Sequence, residues 1–402
     1  MSPTVPSDRP EPGPLAVLLE RLNEVPAGSL VDAAFEVLGP RLGLRHLWLY
    51  VADYGARTLE PVPSRTAPPP PPDSIPVSGS LPGRAFETGR VLEAHDGGGT
   101  TLWVPIRQRS DSIGVLGLGL GAPDGAAAAL APAIGLVIGG FVVGARRHSD
   151  VFEIARGARE LRLAAAMQWD LLPLPSYIDP HLAVAGRLEP AYDIGGDAFD
   201  FAGGPERFDA AVFDAVGHGV GSTLLTTLAV GAYRFSRRRD PDLAEVAAAI
   251  EGAIALHAGV ESFVTSFLCR LDHGTGRMRW VNAGHPPPLL VRDRSCSDLL
   301  PPRPSLPFGL AEGRREVQEV TLQPGDAVLL YTDGVIECRD PQGEPFGAER
   351  LADLAGRHVD REAQLPTIAR LLIDAVLEHA GGRLRDDATL VVLRWGGPAG
   401  EA

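Results

Sequence analysis

Four apolar runs in the second half of this 402-residue chain start from or end on aspartate. That pattern limits what the chain can fold into more than any other feature. Asp197 follows Gly195-Gly196 in YDIGGDAFDF, Asp214 closes FDAAVFDA, Asp333 closes AVLLYTDG, and Asp386-Asp387 open DDATLVVLRW. One aspartate at a strand–turn junction usually caps the turn through its own backbone. Four such junctions gather carboxylates at strand ends, where they repel one another unless a cation is bound. Oxygen-only donors suit hard ions such as Mg²⁺ or Mn²⁺ better than zinc. Glycine is poor inside a strand, so Gly195-Gly196 marks either a bulge or a place where the backbone must approach something closely. These residues read as a carboxylate-lined metal site between two sheets.

The rest of residues 180–396 supports that layout. HLAVAGRLEP, FDAAVFDA, SFVTSFLCRLD, MRWVNAG, PPLLV, AVLLYTDG and ATLVVLRW read as strands, with helices over about 219–238, 242–257, 347–355 and 365–380. Strands of this kind suit two packed antiparallel sheets with helices outside. The first half differs. Residues 1–14 are Pro-rich and charged and read as a disordered tail. A helical pattern runs from Leu15 to Leu42, HLWLYVAD reads as a strand, APPPPPDS (67–74) as a loop, and LPGRAFETGRVLEA as a helix and a strand. TTLWVPIRQ and SIGVLGLGLG form an antiparallel pair before an Ala-rich helix, which completes an α+β order.

A formal net charge of −14 argues against nucleic-acid partners, which call for clustered Lys and Arg. Cys269, Cys296 and Cys338 match no zinc or disulfide framework. With no signal-peptide pattern at the N-terminus, a cytoplasmic protein is expected. Residues 126–145 lack charge and are long enough to span a membrane. Their Ala, Gly and Pro132 content and the strand just before them favour a buried helix and no membrane partner.

Between the halves, Val151, Ile154, Ala158, Leu161, Ala165, Gln168 and Leu172 step by three and four. The spacing predicts one connector helix within 146–174, packed either on its own domain or on a second copy as a coiled coil.

The motifs YDIGGDAFDF, FDAVGHGVGSTLL, VNAGHPPPLL, LQPGDAVLLYTDGVIECRD, GEPFGAERL and DDATLVVL occur in that order. Together they resemble the PPM (protein phosphatase 2C-like) serine/threonine phosphatases of the SpoIIE/RsbU branch, over residues 175–396. The VPI…IGVL pair gives residues 15–145 a resemblance to a GAF domain, with a small-molecule effector and a sensory role as the expectation. The first resemblance implies a β-sandwich flanked by α-helices and two divalent ions, Mn²⁺ or Mg²⁺, activating a shared water. It implies Asp197, Asp214, Asp333 and Asp386 as catalytic metal ligands. The Ala215 carbonyl joins them, and Asp387 is the alternative to Asp386. The implied substrate is a phosphoprotein, by class a phosphorylated anti-sigma-factor antagonist. Two alternatives stay open: an inactive partner-binding regulator on the same fold, and a small-molecule phosphate-ester hydrolase. His218 in VGHGVG reads as a turn residue, with protonation of the leaving serine oxygen as the alternative; His285 in NAGHPPP reads as a turn residue, and Ser222 as a helix-surface or first-turn polar residue.

Overall fold

The computed structural model describes residues 13–65, 73–96, 99–108, 111–122, 124–157, 161–190, 195–239, 241–256, 262–298, 306–310, 315–359 and 364–397. The chain divides into two compact units, Met1–Glu160 and Leu161–Ala402.

The first unit holds helices α1 (Pro14–Glu24), α2 (Leu30–Leu42), α3 (Leu81–Thr88), α4 (Gly125–Ala145) and α5 (Val151–Ala155). Its strands are β1 (Leu44–Ala52), β2 (Thr58–Pro61), β3 (Ile75–Pro76), β4 (Leu92–Asp96), β5 (Gly99–Gln108) and β6 (Asp111–Leu120). They form one antiparallel sheet in the order β3-β2-β1-β6-β5-β4. The helical run expected over 15–42 is two helices, interrupted at Val25-Pro26 because proline disfavours helix at the preceding residue. Helix α4 is long and apolar enough to cross a membrane by length and composition. It nevertheless buries Ala127, Ala131, Ile134, Ile138 and Val142 in this unit's core. Gly135 and Gly139 let it lie directly on β5, since a Cβ at either would stand 2.4 or 2.3 Å from the Pro105 or Arg107 carbonyl oxygen. The expected tail falls mostly outside the described residues, although Pro14 already opens α1. The polyproline stretch 67–72 falls outside them as well.

The single connector helix is not formed. Helix α5 stops at Ala155, and Gly157 takes a left-handed φ of 96°. Phe152 of α5 is buried in the first unit's core, and Glu153 pairs with Arg146 and accepts a hydrogen bond from the Tyr54 hydroxyl at 2.7 Å. A second helix, α6 (Leu163–Leu171), opens the second unit. The seven-position seam is thus split between two units, and its Ala158 lies outside the described residues.

The second unit is a sandwich. Its strands are β7 (Ser176–Ile178), β8 (Leu182–Glu189), β9 (Asp197–Gly203), β10 (Arg207–Ala215), β11 (Val264–Asp272), β12 (Arg277–Ala283), β13 (Leu289–Arg292), β14 (Ser295–Asp298), β15 (Gln318–Thr321), β16 (Ala327–Tyr331) and β17 (Ala388–Trp395). One sheet runs β15-β12-β11-β10-β9 and the other β14-β13-β16-β17-β8-β7. Helices α7 (Val220–Arg237) and α8 (Leu243–Ala255) cover the first sheet. The short α9 (Asp333–Ile336) with α10 (Ala348–His358) and α11 (Leu365–His379) cover the second.

Period-two alternation sorts each strand's side chains. On β10, Phe208, Ala210 and Val212 join the core between the sheets, while Ala211, Phe213 and Ala215 pack under α7 and α8. On β17, Val391, Leu393 and Trp395 point between the sheets, while Leu390 and Val392 face the outer helices.

Candidate functional site

The same alternation decides where the aspartates point. Asp214 continues the inward series of Phe208, Ala210 and Val212. Asp197 shares the parity of Phe199 and Phe201, and Asp387 that of Val391 and Leu393. Asp214 and Asp197 are direct register partners across β10 and β9, and Thr265 on β11 faces Asp214 from the other side. The inward acids therefore meet at one end of the sandwich. Asp333 does not end a strand: β16 stops at Tyr331, and Asp333 is the first residue of α9.

Asp197 is buried, and its Oδ2 accepts hydrogen bonds from the Thr332 and Thr389 hydroxyls at 2.7 and 2.6 Å. Burial, with Asp214 and Asp387 nearby, still pushes its carboxyl well above the usual range. Burial pushes Asp214 up to about 7, with Asp333 and Asp386 adding to the effect. Asp333 and Asp386 are raised too, first by burial and then by acidic neighbours that include Glu337. Negative charge is concentrated here: Asp214, Asp333, Asp386, Asp387 and Glu337 each raise another carboxyl of the group.

Asp386 and Asp387 differ in kind. Asp387 is fully buried, and its Oδ2 accepts from Gln168 Nε2 at 2.7 Å and the Gly196 amide at 3.1 Å. Asp386 is exposed, accepts from the Asp387 amide, and feels Asp333. Asp386 is thus the acid available to an outside ligand, whereas Asp387 holds the protein together.

The paired glycines have a structural cause. The strand expected to carry them begins only at Asp197, and residues 191–194 lie outside the described set. A Cβ on Gly195 would stand 2.7 Å from the Thr223 hydroxyl, and one on Gly196 would stand 2.8 Å from the Ala215 carbonyl oxygen. Thr223 and Ser222 donate to the Gly195 carbonyl, and Thr226 to that of Gly196. Ser222 is therefore buried at the start of α7 and not on its surface. His218 is exposed just before α7.

Three contributors escape a reading by motif. Gln168, read as the polar position of a helix seam, is fully buried and also donates to the Asp197 carbonyl at 2.9 Å. Thr332 and Thr389 sit at inward positions beside the acids, which period two alone could have flagged. Among the described residues, no three His, Cys, Asp or Glu side chains are arranged to hold an ion. The donor chemistry nonetheless fits a hard divalent cation: carboxylates raised first by burial and then by one another, and a main-chain carbonyl that only glycine can face at such close range.

The family model described as Stage II sporulation protein E (SpoIIE) matches residues 204–396. The second unit belongs to the SpoIIE-type PPM phosphatases. The SpoIIE-type domain is similar to phosphoserine phosphatase RsbU of Bacillus subtilis, 25% identical over 238 residues, which are 58% of this chain and 70% of the relative. It is also similar to phosphoserine phosphatase RsbP of the same organism, 27% identical over 210 residues, which are 50% of this chain and 49% of the relative. The chain thus spans about half the length of RsbP. Among solved structures, the RsbU and RsbW domains of Rv1364c from Mycobacterium tuberculosis match with a TM-score of 0.50 and 28% identity, covering 56% of this chain and 63% of that one. The SiaA-PP2C domain of Pseudomonas aeruginosa has the same fold, with a TM-score of 0.51, 23% identity, and coverage of 61% of this chain and 99% of that one.

Proposed function

We propose that the chain is a metal-dependent serine/threonine protein phosphatase acting on a phosphorylated anti-sigma-factor antagonist. The observation that carries this reading is the meeting of Asp197, Asp214, Asp333 and Asp386 at one end of the sandwich, with carboxyls raised by burial and acidic neighbours. Relatives named phosphoserine phosphatase support the reaction class.

Asp197, Asp214, Asp333 and Asp386, with the Ala215 carbonyl, would hold two Mn²⁺ or Mg²⁺ ions. When bound, such ions lower the pKa of a water and offset phosphate charge. The remaining work belongs to the chain. Thr332 and Thr389 fix one oxygen of Asp197. Gln168 and the Gly196 amide hold Asp387, which ties the start of β17 to the start of β9. Gly196 keeps the Ala215 carbonyl unobstructed. The full set of acids favours an active enzyme over an inactive binding regulator. The first unit, as a GAF-like sensor, is the natural place for a small-molecule effector.

The test is phosphate release from a serine-phosphorylated antagonist protein with Mn²⁺ or Mg²⁺, and its loss in excess chelator. Faster hydrolysis of free nucleotide phosphates would favour the small-ester reading. No release from either substrate would favour the regulator.

A further inference from the structure

The NAGHPPP motif has no part in the function proposed above, yet it reaches the metal site. Thr265 Oγ1 donates to Asp214 Oδ2 at 3.4 Å, and the same oxygen lies 2.8 Å from His285 Nδ1. A hydroxyl carries one proton. Thr265 can therefore donate to Asp214 only while His285 presents Nδ1–H to the hydroxyl oxygen.

The loop is built to hold that ring still. The Asn282 side chain donates to the His285 carbonyl and accepts from the His285 amide, both at 2.8 Å. Gly284 takes a left-handed φ of 68°, and a Cβ there would stand 2.8 Å from the Pro307 ring. Pro286, Pro287 and Pro288 restrict the backbone that follows. The imidazole is buried, and burial pushes it down to about 3 against an opposing hydrogen bond to the Tyr331 backbone, so it is neutral near pH 7 and has one ring proton to place between Nδ1 and Nε2.

We propose that His285 and Thr265 are positioning residues for Asp214. Held by Asn282, His285 directs the Thr265 hydroxyl proton onto Asp214 Oδ2. The fold thereby fixes one oxygen of this acid and leaves the other to a cation. Outer partners of this kind set how well a ligand meets its metal. The inference rests on the reading of Asp214 as a metal ligand.

The experiment measures Mn²⁺ binding to the full chain by calorimetry, alongside the Mn²⁺ concentration that half-activates phosphate release. Thr265→Val keeps the shape and removes the hydroxyl, whereas Thr265→Ser keeps the hydroxyl. His285→Leu removes the donor, whereas His285→Asn puts an amide N–H near the position of Nδ1. Thr265→Val and His285→Leu are expected to weaken Mn²⁺ binding about 10-fold or more, within the range for loss of an outer partner. Thr265→Ser and His285→Asn are expected to recover most of it. Thr265→Val binding Mn²⁺ like the parent, or Thr265→Ser binding as poorly as Thr265→Val, would overturn the proposal. Failure of the parent chain itself to bind Mn²⁺ would instead overturn the metal-site reading beneath it.

Discussion

Asp197 and Asp214 face each other directly across β9 and β10, both pointing between the sheets. Opposed residues of an antiparallel pair have Cβ atoms about 4.5–5.5 Å apart, and like charges at such positions destabilise the sheet. The pair is tolerable in a protein whose working state places positive charge between or beside the two acids.

A pH dependence follows, with a definite sign. Burial and acidic neighbours raise Asp214 from 3.8 to about 7, and Asp197 is raised too. A raised carboxyl binds more protons folded than unfolded, so its contribution is present at low pH and is lost as pH rises through the folded value. Without divalent cations, the melting temperature should fall between about pH 4 and pH 7. Saturating Mn²⁺ should flatten or reverse that slope by favouring the ionised acids. Thermal melts at several pH values, with chelator and with Mn²⁺, test this. Equal slopes in both conditions would count against it.

Asp333→Asn separates function from folding. Asp333 opens α9, and its carboxyl is raised by burial and by Glu337. Removing one charge from a repelling group should leave the metal-free protein melting no lower than the parent. Turnover should be abolished at Mn²⁺ levels that saturate the parent. Parent-like turnover, or an unfolded protein by circular dichroism, would refute the assignment.

Much of this site was legible because strands alternate strictly. Once FDAAVFDA and DDATLVVLRW are taken as strands, parity alone puts Asp214 on the face of Phe208, Ala210 and Val212, and Asp387 and Thr389 on the face of Val391 and Leu393 in the other sheet. Gln168 was not legible in this way. Its partner Asp387 lies 219 positions along the chain, and no local pattern marks a buried amide aimed at a distant carboxylate. The broken connector was hidden for a related reason. Three-and-four spacing runs past Gly157, but it registers neither the left-handed φ there nor the burial of Phe152, which is not a seam position, in the first unit's core. The short strands β7, β14 and β15 carry too few residues for alternation to register.

Gln168 yields its own expectation. Its amide donates to both the Asp387 carboxylate and the Asp197 carbonyl. Gln168→Ala leaves two buried acceptors without this donor, which should cost about 1–3 kcal/mol. Gln168→Glu adds a carboxylate beside Asp387 and should cost more. Denaturant unfolding measures the loss, and the half-activating Mn²⁺ concentration should rise in the same order. Parent-like stability in both variants would mean that the hydrogen bonds are not formed in solution.

The glycine pair gives the sharpest contrast between two substitutions of one chemical kind. Gly196 faces the Ala215 carbonyl oxygen, and a methyl there would sit 2.8 Å from it. The neighbour is backbone, held through the Ala215 amide to the Gly196 carbonyl, so it cannot swing aside as a side chain would. Gly196→Ala should therefore displace Ala215 and Asp197 together, raising the Mn²⁺ requirement and lowering turnover. Gly221 lies in the first turn of α7, with nothing within 4 Å of an added Cβ. Gly221→Ala should leave turnover intact and stabilise the fold by up to about 0.5–1 kcal/mol, the usual difference between alanine and glycine within a helix. Mn²⁺ titrations of phosphate release and thermal melts on both variants test the pair. If Gly196→Ala is as active as Gly221→Ala, the Ala215 carbonyl has no part in the metal site.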